Sequence, residues 1–263
     1  MNNKYLQKKS KQETAGKSDR QNRSEGHYAR KKESFKEIPK WTPIAILVFT
    51  TLIYIKALFN DFAWDDEIYI MRNPFLRDFS INGIKVIFTS FYFSNFHPIT
   101  TLTYFLEYKC FGINPFPYHL VNILLHLLNT WLVFKLVEQL SNKKITALVV
   151  SLLFAVHPMH VESVAWISER KDILYSLFYF LSLLSYLRYV KHGFSVKHYI
   201  WTLLFFIASL LSKSAAVTLP VLLIGIDIFR KRKIFSVVHK RRRTMNFYLV
   251  YIGSSFARTM QKY

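Results

Sequence analysis

The 263-residue chain is 51% hydrophobic and 17% aromatic, with 24 Phe and 16 Tyr, a load that water-soluble domains of this length rarely carry. Its 36 Lys plus Arg against 16 Asp plus Glu give a formal net charge of +20, and the lone cysteine, Cys110, excludes an internal disulfide. Several apolar windows approach the ~20 residues needed to cross a bilayer, so the chain reads as all-α: a polytopic transmembrane helix bundle of about six spans with a long extracytoplasmic first loop.

In chain order, residues 1–40 are rich in Lys, Arg, Gln, Ser and Asn. They lack the apolar core of a signal peptide, and they cannot bury enough surface to fold alone. They are read as a disordered basic tail on the cytoplasmic side, with anionic membrane lipids attracting it at about 1 kcal/mol per basic residue near the surface. Only Tyr5, Tyr28 and Phe35 are scattered among its basic residues, too few and too far apart to form a series of stacking platforms, so nucleic acid is not an expected partner.

The first span is Trp41–Phe59. Residues 60–116 then form a long intervening segment with amphipathic parts such as INGIKVIFTSFYFSNF. Further spans are expected at Pro117–Val137, Ile145–Val156, Ile173–Val190, Tyr199–Leu211 and Ala215–Phe229, the shorter ones tilted or extended into their flanks. Residues 41–243 make one transmembrane domain, and residues 244–263 a short tail or a fragment of a further span.

The positive-inside rule orients this chain. Segments 141–144, 191–198 and 230–243 are basic and fall inside with the tail. Segments 60–116 and 157–172, with a short turn near Ser212–Ser214, fall outside and hold nearly every acid and histidine of interest. Asp65, Asp66 and the 157–172 loop are therefore expected on one extracytoplasmic face.

In FAWDDEIYI, Asp65, Asp66 and Glu67 follow the first span closely. A solvated loop that caps the next helix accounts for them; so does a general base beside a lipid-phosphate substrate, since a hydroxyl nucleophile needs a carboxylate to take its proton. His157, His160 and Glu162 have metal-ligand chemistry, but Pro158 breaks the helix that would align them and no zinc spacing is matched; contact with a bound sugar is the alternative to a plain turn. Arg170 and Lys171, in ERKD, and Lys213, in LLSKSAAVTLP, are cations placed where a phosphate leaving group needs one, although helix capping and snorkelling also suit them. His119, Asn122, His126 and Asn129 step by three, four and three along one helix face, which must point into the bundle rather than at lipid, mainly for hydrogen bonds between helices.

The runs YHLVNILLHLLNTWLVF, LLFAVHPMHVESVAWISERKDILYSLFYFLSLLSYLRY and LLSKSAAVTLPVLLIGIDIF together resemble the membrane part of the transmembrane and tetratricopeptide-repeat O-mannosyltransferases and their bacterial relatives, in the GT-C superfamily. The likeness covers roughly residues 41–229 and is most specific over 118–190. WDDE matches the acidic motif that the superfamily carries in its first extracytoplasmic loop. The resemblance implies a membrane glycosyltransferase that moves mannose from a polyprenyl- or dolichyl-phosphate donor to a hydroxyl acceptor, protein Ser/Thr among them, with inversion in one displacement.

Carried over, Asp65 or Asp66 is the catalytic carboxylate. Arg170, Lys171 and Lys213 face the donor phosphate, an assignment that rests on charge and topology more than on the family. His97-Pro98 resembles the basic-residue-plus-proline step of relatives, with His where Arg is common. Glu67, His97, His157, His160 and Glu162 are expected around the substrate. No cofactor is assigned and a divalent cation is left open. The membrane is the plasma membrane of a bacterium or the endoplasmic reticulum of a eukaryote.

Two departures stand out. Relatives usually read LSKP where this chain has Leu211-Ser212-Lys213-Ser214, and they continue with further spans and repeats where this chain ends. A truncated or non-catalytic protein that binds lipid-linked sugar, or acts as a scaffold, is thus the alternative. A transporter is less favoured, without an inverted repeat or Gly-broken helices at midplane.

Overall fold

Apart from one bridge between Tyr92 and Asn95, every regular element among the described residues is helical. The structure, a computed structural model, describes Pro39 and residues 41–230; the basic tail and the stretch from 231 onward lie outside the described residues.

Helix α1, Thr42–Tyr54, continues as a 3-10 turn, Ile55–Phe59. Short turns at Glu67–Met71 and Pro74–Leu76 lead to α2, Ile81–Thr89, and α3, Pro98–Phe111. Ser80 caps α2 by accepting the Gly83 N–H at 3.2 Å. Position 83 has no room for a side chain, because a Cβ there would lie 1.9 Å from the Asp78 carbonyl oxygen.

Helix α4, Pro115–Ser141, starts where Pro115 occupies the first turn and the Asn114 side chain accepts from the Phe116 N–H at 3.2 Å. It ends at Asn142, whose left-handed backbone (φ 55°) closes the helix. Then follow α5, Lys144–Val156, and α6, Met159–Ala165, bent by 62° at the break between them. Pro158 accounts for the bend: it disfavours helical backbone at His157, which is extended with ψ 129°. After a 3-10 turn at Ile167–Glu169 come α7, Arg170–Lys191, and α8, Val196–Ser212. A second 3-10 turn, Ser214–Thr218, leads into α9, Leu219–Phe229.

Three helical stretches are long and apolar enough to cross a membrane: Thr42–Phe59, Pro115–Ser141 and Ile167–Lys191. The bent α5–α6 pair makes up to four, and Val196–Ser212 and Ser214–Phe229 are shorter apolar helices. Their outward faces carry Val48, Leu52, Leu124, Leu153, Leu204 and Val221, all exposed, as lipid contact demands. Helices α7 and α8 pack as a hairpin, with α4 against α5 and α7. Leu183, Leu187, Phe206 and Leu219 form the centre of that bundle. A second core, built on Ile70, Leu76, Tyr104, Tyr118 and Ile167, ties the 60–116 segment to the start of α7.

The polar stripe of α4 points inward: His119, Asn122, His126 and Asn129 are all buried. Asn122 donates to the carbonyls of Val164 and Trp166, and Asn129 donates to that of Ile173. His126 Nε2 lies 3.0 Å from the Ala155 carbonyl oxygen. Asn122 and His126 thus meet carbonyls at the ends of α5 and α6 and in the turn before α7, which lack helical partners, while Asn129 ties α4 to the first turns of α7.

Candidate active site

Segments 63–66 and 166–168 meet at one end of the bundle. Asp66 is 1% exposed, and backbone donors occupy both of its carboxylate oxygens. The Ser168 N–H reaches Oδ1 at 2.7 Å and the Ala63 N–H reaches Oδ2 at 3.0 Å. The Trp166 indole N–H donates to the Ala63 carbonyl at 3.2 Å, and the Trp64 and Trp166 rings meet edge to face at 5.2 Å. Two stretches about a hundred residues apart in sequence are clasped by one carboxylate. Burial raises the Asp66 carboxyl above its ordinary range, and the two amide donors oppose that rise.

Asp65 is half-buried, and its side chain forms no hydrogen bond among the described residues. Its backbone carbonyl accepts from Ile68 and Tyr69, which turns the chain into the helical turn at Glu67–Met71. Glu67 is exposed and pairs with Arg72.

Arg170 is 0% exposed and lies within the protein rather than at its surface. Its guanidinium donates to Asn122 Oδ1 at 2.7 Å, Glu107 Oε2 at 2.6 Å, the Tyr118 carbonyl at 2.8 Å and Thr103 Oγ1 at 3.2 Å. It also stacks on the Tyr104 ring, 4.8 Å from the centroid. Burial raises the Glu107 carboxyl, and the Arg170 charge beside it counters that effect. Of the three expected phosphate-facing cations, Arg170 therefore meets protein on every side.

The two lysines are more open. Lys171 pairs with Glu169 at 2.7 Å and lies 5.8 Å from the Tyr69 ring centroid. Lys213 pairs with Asp172. Thr100 donates to the Ser212 carbonyl at 3.2 Å, which seats the start of α3 against the end of α8 and brings His97 to the lysines. Burial and the charges of Lys171 and Lys213 lower the His97 pKa from 6.5 to about 4. A cavity of about 20 Å³ is lined by Tyr69, Tyr92, Asn95, His97, Ser168 and Lys171 among others, room for roughly one water.

The remaining candidates stand apart from this cluster. His157 and Glu162 are exposed. His160 is half-buried against the Phe154 ring, centroids 4.5 Å apart, and lies 5.8 Å from both His126 and His157. Among the described residues no three His, Cys, Asp or Glu side chains are arranged to hold a metal ion.

Sequence reading passed over Glu107, Ser168, Trp64 and Trp166. Glu107 had a signal: it is the single acid in the apolar helix PITTLTYFLEYKCF, and an acid so placed calls for a cation. Ser168 had none, because it contributes a backbone N–H that every residue but proline carries.

The fold and site define an all-helical, multi-pass membrane protein with its carboxylates and cations gathered at one end of the bundle. Residues 98–253 match the family of dolichyl-phosphate-mannose-protein mannosyltransferases. The chain is 34% identical over 217 residues to the protein O-mannosyl-transferase tmtc2 of Xenopus laevis, an alignment covering 76% of this chain and 26% of that protein. Its identity to TMTC2 of Homo sapiens is 32% over 236 residues, covering 81% and 28% respectively. With Tmtc1 of Drosophila melanogaster it is 32% over 177 residues, covering 64% and 20%. The chain belongs to the dolichyl-phosphate-mannose-protein mannosyltransferase family. It spans about a quarter of the length of the TMTC2 proteins it matches. No solved structure matches it.

Proposed function

We propose that this chain carries the donor and base site of a membrane mannosyltransferase, which moves mannose from a polyprenyl- or dolichyl-phosphate carrier to a hydroxyl acceptor such as protein Ser or Thr. The site faces the extracytoplasmic side of a six-span bundle whose amino terminus is cytoplasmic, in a plasma membrane or the endoplasmic reticulum. The observation that carries this reading is the clasp of Asp66 on the Ser168 N–H at 2.7 Å. It holds the acidic turn against the segment that supplies Lys171.

The two aspartates then divide the work. Asp66 has both oxygens engaged, so it positions the turn. Asp65 retains accepting capacity and takes the proton of the attacking hydroxyl. Lys171 and Lys213 stabilise the charge that develops on the leaving phosphate, exchanging Glu169 and Asp172 for phosphate oxygens as the donor enters. Neutral His97 completes the polar wall. Arg170 acts through others: it locks α3 to the start of α7 and so sets where Lys171 lies.

Transfer from polyprenyl-phosphate mannose, measured in membranes containing the full chain, tests this division. Asp65→Asn is expected to lower turnover by about 10²–10⁴-fold, the usual worth of a positioned base, with insertion unchanged. Asp66→Asn replaces one accepting oxygen with a donor and is expected to lower thermal stability as well as turnover. Unchanged transfer in Asp65→Asn would overturn the assignment. Donor binding without transfer in the native chain would favour a lipid-linked-sugar binding protein.

A further inference from the structure

Trp64 is 82% exposed, yet its backbone adopts the left-handed region, with φ +46°. It is the first inner residue of a turn closed by the Asp66 N–H on the Ala63 carbonyl at 3.0 Å. Glycine or asparagine suits such a position, and a bulky side chain there is a genuine outlier. Backbone of this kind persists only where the surroundings over-determine it. Here they do: Ala63 is pinned through its N–H to Asp66 and through its carbonyl to the Trp166 indole.

Core packing does not require the indole, which at this exposure buries little surface. Its ring contact among the described residues is with Trp166, the two ring planes 86° apart, so the two rings form an open corner. The next residue along the chain is Asp65. We infer that this corner is the sugar-binding platform of the site: the C–H face of the donor's hexose lies on the Trp64 indole with Trp166 as its side wall. The electron-rich ring face attracts the polarised C–H groups of a pyranose, and the stack keeps water from the carbon that the acceptor attacks. The inference rests on the function proposed above and adds a residue that selects the sugar.

The competing explanation is interfacial anchoring, since exposed tryptophans also settle among lipid headgroups. An anchor is indifferent to whether the lipid carries a sugar. The experiment therefore measures binding of short-chain polyprenyl-phosphate mannose, and of the same phosphate lipid without sugar, to the full chain in detergent. In Trp64→Ala and Trp64→Leu, affinity for the mannosyl lipid is expected to fall about tenfold, equivalent to about 1.4 kcal/mol, while affinity for the bare phosphate lipid holds. Trp64→Tyr, which keeps a ring, is expected to retain most of the preference. Equal losses on both lipids, or no loss on either, overturn the platform. A native chain that binds neither lipid overturns the platform and the donor reading together. Sugar-selective binding in a chain whose transfer survives Asp65→Asn overturns only the base.

Discussion

His97 immediately precedes α3, in the position before Pro98, with Lys171, Lys213 and the opposing Asp172 as its charged neighbours. With its pKa lowered to about 4 it is neutral at pH 7, offering hydrogen bonds without adding a third positive charge to the pair of lysines. The unfolded chain binds more protons than the folded one between roughly pH 4 and 6.5 at this residue, so His97 makes stability fall as pH falls through that window. Asp66 acts in the opposite sense, because burial raises its folded pKa. The two are separable by variant: the melting temperature of purified protein is expected to drop between pH 7 and 5, and to drop less in His97→Gln. An unchanged slope in that variant would mean that other groups govern the acid response.

At the scale of elements, the buried Glu107–Arg170 ion pair ties α3 to the start of α7, and the Thr100 bond and the Tyr104 packing also hold that helix. Removing one partner of a buried ion pair leaves the other stranded, at a cost of about 3–5 kcal/mol. Glu107→Ala is therefore expected to lower thermal stability strongly and to reduce the monodisperse fraction in detergent. Replacing both partners, Glu107→Leu with Arg170→Met, is expected to recover much of that stability. Recovery of fold without full activity would fit a guanidinium that sets the geometry of its neighbour Lys171.

Element ends show what sequence makes visible. The expected span Pro117–Val137 lengthens to Pro115–Ser141 because Asn114-Pro115 and Asn142 supply a start and a stop beyond the apolar stretch. Within 60–116 the elements are short and interrupted. Helix α2 has nine residues, too few for periodicity to separate helix from turn with confidence in the boundaries.

For the whole molecule, the arrangement of ends follows from which loops touch. Asp66 bonds to Ser168 and Thr100 to the Ser212 carbonyl, so the 60–116, 157–172 and 212–218 segments share one end of the bundle. Arg230 donates to the Gln139 carbonyl, joining the tips of α4 and α9. In a Cys110→Ser background, Glu67→Cys and Glu162→Cys are expected to react with an impermeant maleimide from outside the cell or within the lumen. Lys143→Cys and His192→Cys are expected to react only once the cytoplasmic face is opened. Reaction of positions 67 and 162 from opposite sides would sink the shared-site proposal.

The sequence by itself determined the helical class, the membrane character, the inward polar stripe of α4 and the candidate acids and cations. Each of these rests on composition or on a period along one helix, and such patterns are local. Only tertiary structure decided which carboxylate is clasped and which is open, that Arg170 is enclosed while Lys171 and Lys213 are not, and that Trp64 stands strained at the rim. Those outcomes depend on backbone donors and on partners many tens of residues away, where one-dimensional spacing carries no signal.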